Sequence, residues 1–418
     1  MLFSFVLNAQ QGFDYGVSRL IARLFELGIV GAKDGALPTC RSYNAACAKL
    51  PVAIVQQQLK KCHLGEYEAN GRTFHGLKVL IPDGTKVSIT NTQAARDKYG
   101  TGQGHYVQSQ ALGFYELSTG TFEDFRFEHY TEAERAIAIS HMSSNPTRSL
   151  YVADAGYNGM AFIAFCLEQK HELLMQLKNC ALAKKFLKTG KRSTVMDIKL
   201  TKAHMRNYPS HQYLLGTVIK VRLIRTRGTN KLKSQVLITT LIDETVFKWQ
   251  ELAKLYRQRY TVELAFRHLK TTIGIERIHK QTLQRIEQLL FAAIVLFNLS
   301  ASLRNRIRRP SILPENEGVR LHCFTLCIER VHAFLQASMK PLHGIKKKMN
   351  IILKAIKGCW FIYKPWRSEP RICHTPPSDF SVQKGADMTN AIETARFLRV
   401  EYEILARQYG QKNNKKNA

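Results

Sequence analysis

Charged and hydroxyl side chains recur at helical spacing between positions 256 and 270, in the segment YRQRYTVELAFRHLK. Tyr256, Arg259, Glu263 and Lys270 lie at offsets of 0, 3, 7 and 14 along it. At about 100° per residue these offsets project to about 0°, 300°, 340° and 320°, and Arg267 projects to about 20°. The spacing therefore predicts a helix that presents one carboxylate among groups suited to phosphate on one narrow face.

The same helix has apolar positions for packing against a core, at Leu255, Val262, Leu264 and Leu269. An ordinary amphipathic helix with a solvated charged face would carry similar residues, because oppositely charged side chains pair at i, i+4 spacing. The helix taken alone leaves both interpretations open.

Two aspartates elsewhere in the chain favour a catalytic role for this helix over an ordinary amphipathic one. Asp83 stands in VLIPDGTKV and Asp154 in LYVADAGYN, so each follows or ends an apolar, strand-like run and precedes a glycine turn. A rigid strand that opens to solvent suits a metal-ligating carboxylate, although an aspartate before a glycine is also a common turn former. With Glu263 they make a three-carboxylate set.

Hard oxygen ligands of this kind suit Mg²⁺ or Mn²⁺. Two such ions about 4 Å apart can activate an attacking oxygen and stabilise the leaving oxygen during displacement at a phosphodiester. The three carboxylates therefore predict metal-dependent phosphodiester chemistry, with two divalent ions as the cofactor.

The charge balance favours a polyanionic partner. Lysine and arginine total 62 against 32 aspartates and glutamates, a formal net charge of +30. Neutralising phosphates is the commonest use of such an excess, which favours nucleic acid, although a generally basic surface would have the same composition. The nine cysteines form no disulfide framework, and the apolar run at 289–297 is too short to span a bilayer. We expect a protein of a reducing compartment that does not enter a membrane.

Patterning along the chain predicts an α/β fold with helical regions on both sides. Strand-like segments begin at Leu77, and three of them form an expected antiparallel set up to Tyr130. A helix follows, with Thr131 as its expected N-cap and Glu134 as the partner in a capping box. The predicted regions are a helical N-terminal DNA-binding domain (1–65), the first part of the core (77–178), a basic β-rich insertion (179–243), a helix completing the core (244–275), a helical C-terminal region (276–410) and a disordered tail (411–418).

These motifs resemble a known family, the DDE transposases of bacterial insertion sequences with the Y-(2)-R-(3)-E-(6)-K signature, called the insertion sequence four family. Tyr256, Arg259, Glu263 and Lys270 match that signature at every spacing. The segments DGT at Asp83 and DAGY at Asp154 look like the first and second acidic motifs, in the right order. The resemblance covers roughly residues 77–275.

The resemblance implies an RNase H-like catalytic core with a β-rich insertion between the second aspartate and the glutamate. It implies that Asp83, Asp154 and Glu263 ligate two divalent metals, while Tyr256, Arg259 and Lys270 contact phosphates at the transposon end. Arg267 lies outside the signature and is added here as a phosphate-binding candidate. The implied activity is cleavage and strand transfer at terminal inverted repeats, first with water and then with a freed 3′-OH as the nucleophile.

The implied partners are double-stranded DNA, both transposon ends and target, and a second copy of the chain in a synaptic complex. The implied location is the bacterial cytoplasm, at the nucleoid through DNA binding. Two alternatives remain open: a non-catalytic DNA-binding derivative, such as a transposition inhibitor, and an RNase H-like nuclease without joining activity.

One feature departs from the family. Some relatives use a tryptophan of the insertion to hold a flipped base, but the three tryptophans here are Trp249, Trp360 and Trp366, all outside 179–243. Base flipping would need another aromatic residue such as Tyr208 or Tyr213.

Overall fold

The computed structural model describes residues 21–22, 39–102, 106–178, 180–206, 208–226, 235–278, 282–307, 319–337, 345–358 and 360–363. Nearly all of them belong to a compact unit made of Met1–Gly100 and Val107–Lys364. A second unit, Thr101–Tyr106 and Pro365–Ala418, is described only at positions 101, 102 and 106. The predicted tail at 411–418 and most of positions 1–38 therefore lie outside the described residues.

An eight-stranded mixed sheet forms the centre of the first unit, with the order β3-β2-β1-β4-β5-β8-β7-β6. The strands are β1 (Lys78–Ser88), β2 (Gln108–Glu116), β3 (Thr121–His129), β4 (Ser149–Ala153), β5 (Glu172–Gln176), β6 (Ser193–Lys199), β7 (Val218–Arg225) and β8 (Val236–Thr239). A separate antiparallel pair is formed by β9 (Val319–His322) and β10 (Trp360–Tyr363). The predicted α/β class is confirmed.

The first three strands follow the expected pattern, and two parallel strands extend it. Strands β1, β2 and β3 pair antiparallel, as predicted, and β4 and β5 then run parallel to β1. Parallel neighbours need a crossover connection, and the helices Glu134–Ser144 and Met160–Glu168 complete the connections to β4 and β5.

The helices, in chain order, are α1 (Cys40–Ala48), α2 (Val52–Asn70), α3 (Gln93–Tyr99), α4 (Glu134–Ser144), α5 (Met160–Glu168), α6 (Ala181–Lys188), α7 (Lys202–Met205), α8 (Trp249–Arg257), α9 (Tyr260–Arg267), α10 (Leu283–Arg306), α11 (Phe324–Ala337) and α12 (Ile345–Lys357). A π-helical turn covers His268–Ile273, and 3₁₀ turns cover Ala155–Tyr157, Pro209–Leu214 and Ile275–Arg277.

The segment predicted as a β-rich insertion extends the same sheet. Strand β8 pairs antiparallel with β5, and β7 and β6 follow outward to the edge. The segment also contains α6 and α7. It is therefore mixed in secondary structure, and its strands continue the hydrogen-bonded ladder of the core.

Alternation along the strands separates two cores, one on each face of the sheet. The first core contains Val79 and Ile81 of β1 together with residues of α2, α8, α9 and α10. The second core contains Leu80 of β1 together with residues of α4, α5, α6 and β7. Odd-numbered positions of β1 therefore face α8 and α9, and even-numbered positions face α4.

Helix α10 is the most apolar element of the first core. By length and composition it could cross a membrane, yet 83% of its most apolar window is buried inside the protein. Asn298, which is fully buried, accepts a hydrogen bond from the Phe122 N–H and donates one to the Phe122 carbonyl oxygen, both at 2.8 Å. These contacts tie α10 to β3, so the helix packs as a core helix.

Candidate functional site

Asp83 lies inside β1, not at its end. The expected glycine turn after Asp83 is wrong, because Asp83 pairs with Gly113 and Gly84 with Leu112, and the strand continues to Ser88. Pairing between β1 and β4 nevertheless stops at Leu80, two residues before Pro82. Proline has no N–H to donate to a ladder, so the two strands separate just before Asp83.

Asp154 directly follows β4, and here the expected turn is confirmed. Its carboxylate Oδ1 accepts a hydrogen bond from the Gly156 N–H at 2.7 Å, and a 3₁₀ turn begins at the next residue. Such an Asx-type contact fixes the side chain at the end of its strand.

The register of three parallel strands brings polar groups to one level. Leu80 pairs with Tyr151, so Asp83 and Asp154 each lie three residues further along neighbouring strands. Ala153 pairs with Met175, which puts Gln176 beside Asp154. Alternation directs all three side chains to the face of the first core. The sheet thus presents Asp83, Asp154 and Gln176 in a row beneath α8 and α9.

The row concentrates negative charge. Burial raises the pKa of Asp83 to about 7; the Arg259 guanidinium opposes this rise, and the charges of Glu134 and Asp154 add to it. A carboxyl group with such a pKa is costly to ionise without a nearby cation. The electrostatics therefore favour a positively charged ligand at this edge.

The segment 256–270 is not one regular helix, so that expectation is wrong. Helix α8 ends at Arg257 and α9 begins at Tyr260. Between them the amide N–H groups of Gln258 and Arg259 bond three residues back, to Leu255 and Tyr256, which tightens the backbone locally. Lys270 then lies in the π-helical turn that ends at Gly274.

Tyr256 and Arg259 nevertheless both reach the row on the sheet. Tyr256, 5% exposed, donates from its hydroxyl to Gln176 Oε1 at 3.3 Å. Arg259, 9% exposed, lies close enough to Asp83 to lower its pKa. The buried Arg259 Nε has no hydrogen-bond partner among the described residues.

Glu263 is held by Arg259. Arg259 Nη2 donates to Glu263 Oε1 at 2.8 Å, and the Glu263 side chain is 48% exposed. Within the part of the chain that the structure describes, no group of three His, Cys, Asp or Glu side chains is arranged to hold a metal. The structure brings Asp83 and Asp154 together and leaves Glu263 in an ion pair beside them.

The remaining candidates of this segment, Lys270 and Arg267, are less buried than Tyr256 and Arg259. Lys270 Nζ donates to the Lys86 carbonyl oxygen at 2.7 Å and pairs with Glu276 at 3.4 Å. Arg267 is exposed. Leu264 is 50% exposed, so the expectation that it packs in the core is wrong, whereas Val262 and Leu269 are buried.

Sequence reasoning missed a fourth carboxylate. Helix α4 has Ala133 as its N-cap, without a side-chain capping bond, so the predicted capping box of Thr131 and Glu134 is wrong. Glu134 instead turns toward the sheet, where Gln110 Nε2 donates to its Oε1 at 3.1 Å. Local sequence gave no signal for this, because a glutamate in the first helical turn usually serves the helix itself.

The two aromatic candidates of the insertion differ in exposure. Tyr213 is 61% exposed and donates from its hydroxyl to Glu168 Oε2 at 2.7 Å. Tyr208 is 9% exposed, and Arg135 Nη1 donates to its hydroxyl at 3.4 Å.

Comparisons with known proteins agree with the resemblance. A family model described as Transposase DDE domain matches residues 74–299. The chain is 24% identical over 198 residues to transposase InsG for insertion sequence element IS4 of Escherichia coli strain K12, across 46% of this chain and 43% of that protein. The chain thus matches less than half of that relative's length.

A solved structure is also similar, the cryo-EM structure of a piggyBac transposase synaptic complex with hairpin DNA. The TM-score is 0.36 at 10% identity, over 73% of this chain and 62% of that one. The family model, which spans more than half of the 418 residues, confirms the recognition made from the motifs. The chain belongs to the DDE transposase family of insertion sequences, in the group of insertion sequence element IS4.

Proposed function

We propose that this protein is a metal-dependent transposase that cleaves DNA and transfers strands at the terminal inverted repeats of an insertion sequence. The observation that carries the proposal is the row of Asp83 and Asp154 on adjacent parallel strands, with Tyr256 and Arg259 of the signature lying directly over it. Carboxylates that bind metal and cations that bind phosphate are then at one edge of one sheet.

An RNase H-like architecture for the core is part of the proposal. Three antiparallel strands followed by two parallel ones, in the order β3-β2-β1-β4-β5, support it. Helices α8 and α9 then return to cover Asp83 of β1 and the carboxyl ends of β4 and β5, where the other candidate residues of the sheet lie. Residues 77–178 and 244–275 would form this core, with 179–243 as an insertion that lengthens its sheet.

The donor set fits a divalent cation. Asp83 and Asp154 supply hard oxygen ligands. Burial chiefly raises the pKa of Asp83, and the charges of Glu134 and Asp154 add to the rise while Arg259 opposes it. Two ions of Mg²⁺ or Mn²⁺, held by Asp83, Asp154 and Glu263, would supply nucleophile activation and leaving-group stabilisation. Glu263 would have to leave its ion pair with Arg259, which its exposed side chain permits.

The DNA backbone would be held by the cations around this edge. Arg259 has a buried Nε without a described partner, so a phosphate oxygen could accept from it, and a guanidinium can bind phosphate through two parallel hydrogen bonds. Lys270 and Arg267 would each add a single contact with a backbone phosphate. Tyr256 would orient the row through Gln176 and donate to phosphate only after leaving that bond.

Duplex DNA as the partner is supported by the distribution of charge along the chain. Residues 77–178 contain nine lysines and arginines against eleven aspartates and glutamates, whereas residues 179–243 contain fourteen against two. The acidic centre thus adjoins a strongly basic segment, which suits phosphate neutralisation outside the reacting bond. A homodimer is proposed because the two ends of an element must be handled together, with a cytoplasmic location at the nucleoid.

A strand-transfer assay tests this function. Labelled duplexes that carry the DNA flanking the coding sequence would be incubated with the protein, Mg²⁺ and a circular target. We expect 3′-OH nicks at the end and covalently joined products. Nicks without joined products would instead assign a nuclease.

A non-catalytic DNA-binding derivative is the second candidate, favoured by the ion pair that holds Glu263. In the same assay it would bind the duplex and yield no 3′-OH under any divalent metal.

A further inference from the structure

Glu134 approaches the aspartates from the opposite face of the sheet. It is the first residue of α4, which packs on the second core, whereas α8 and α9 pack on the first. Its carboxylate lies within electrostatic range of both Asp83 and Asp154. The Glu134 carboxylate, on the face of the sheet covered by α4, thus lies close to Asp83 and Asp154, whose side chains point to the face covered by α9.

A gap at Gly84 makes this approach possible. A Cβ atom built on Gly84 would lie 2.4 Å from Glu134 Oε1 and 2.8 Å from Gln110 Nε2. Any larger residue at the position following Asp83 would therefore push the carboxylate away. The φ angle of Gly84 is not in the left-handed region, so the backbone does not require glycine here. Glycine at position 84 is therefore explained by the space that it leaves for the Glu134 carboxylate.

Beside Glu134 lies a buried polar group without a well-aligned partner. The Tyr157 hydroxyl is 1% exposed and faces the charges of Glu134, Asp83 and Asp154; it lies near the Glu134 carboxylate but makes no hydrogen bond of good geometry with the described residues. A buried hydroxyl of this kind is rare without a reason. It indicates that a ligand or a shift of Glu134 completes the arrangement.

A purely structural role for Glu134 is poorly supported. It does not cap α4, and none of the described ion pairs includes it. The donors that face it are neutral groups, the Gln110 amide and the Tyr157 hydroxyl, while Asp83 and Asp154 lie close by and Lys86 opposes their charge only weakly. A half-buried negative charge next to like charges destabilises the fold unless a cation compensates it.

We propose that Glu134 is a positioning carboxylate of the cation site, which reaches through the Gly84 gap and holds the water shell of a divalent ion bound by Asp83 and Asp154. The inference rests on the proposed function. Mg²⁺ keeps several of its waters, so carboxylates that do not converge on one point can still share the ion. Glu134 and Glu263 then flank the two aspartates from opposite faces of the sheet.

Calorimetric titration of the full chain with Mn²⁺ at pH 8 tests this inference without an activity readout. Removal of an outer-shell carboxylate commonly weakens metal binding 10- to 100-fold. We expect Glu134→Gln, which keeps an acceptor for Gln110, to weaken Mn²⁺ binding at least tenfold. The matched control is Glu132→Gln, an exposed glutamate two residues earlier, with an expected change below about twofold.

A second variant tests the position of the Glu134 carboxylate without altering any carboxylate. Gly84→Ala should displace Glu134 and weaken Mn²⁺ binding in the same direction. Equal affinities of wild type, Glu134→Gln and Gly84→Ala would overturn the inference. If Asp154→Asn still abolishes binding in that case, the proposed function stands and only the role of Glu134 falls. If Asp154→Asn also binds normally, the proposed metal site falls with it.

Discussion

Neutralising Asp83 should stabilise the cation-free protein at alkaline pH. The pKa of Asp83 is about 7 in the folded chain, above its ordinary value of 3.8, chiefly because the group is buried. Between these two pH values the folded state binds a proton more tightly than the unfolded state. The free energy of unfolding contributed by Asp83 is therefore fully present below about pH 4 and is lost as the pH rises through 7.

The size of this loss follows from the shift. A difference of about three pKa units, at about 1.4 kcal/mol each, corresponds to about 4 kcal/mol. Partial access of water to the group reduces this, and we expect about 2–4 kcal/mol. Asparagine has the same shape without the charge, so Asp83→Asn should recover most of that amount at pH 8 and little at pH 4.

Urea unfolding in EDTA measures the effect as the difference between wild type and Asp83→Asn at pH 4 and at pH 8. Taking the difference at each pH cancels groups that titrate in both proteins, such as His141, whose burial lowers its pKa to about 4. Asp97→Asn is the matched control on α3, since Asp97 is exposed, and should change stability by less than about 0.5 kcal/mol. An Asp83→Asn variant that is less stable than wild type at pH 8 would refute the electrostatic reasoning.

Two further perturbations test the scaffold and the DNA surface. Asn298→Ala should lower the free energy of unfolding by about 2–4 kcal/mol, because it leaves the N–H and the carbonyl oxygen of Phe122 unpaired under α10. A loss below about 1 kcal/mol in urea unfolding would contradict this. Replacing three exposed lysines of α6 by glutamine should make the plot of log DNA affinity against log salt concentration less steep, by about 2–3 in slope. Fluorescence anisotropy with duplex DNA measures the affinity, and an unchanged slope would mean that the DNA binds elsewhere. The three lysines are Lys184, Lys185 and Lys188.

Local pattern predicted the elements of the sheet well. The segments proposed for β1 to β4 and α4 were found as strands and a helix, because alternating or continuous apolar residues and turn residues determine them locally. The turn at Asp154 was also predictable, since its own side chain makes it.

Features that depend on partners distant in sequence were not predictable. The dipeptide Asp83–Gly84 signals a turn locally, but pairing with β2 keeps it in a strand. Glu134 looks like a capping residue until the position of Gly84 is known. Nor does the signature spacing reveal the tightened backbone at Gln258 and Arg259.

The central claim is that Asp83, within β1, and Asp154, directly after β4, carry out metal-dependent cleavage, and it can be tested by separating DNA binding from cleavage. The measurement is the yield of 3′-OH ends from a duplex of the element's terminus in Mg²⁺, compared with affinity for the same duplex in EDTA. We predict that Asp154→Asn binds the duplex within about threefold of wild type and yields no 3′-OH ends. Cleavage by Asp154→Asn at the wild-type rate, or cleavage by wild type in EDTA, would contradict the account.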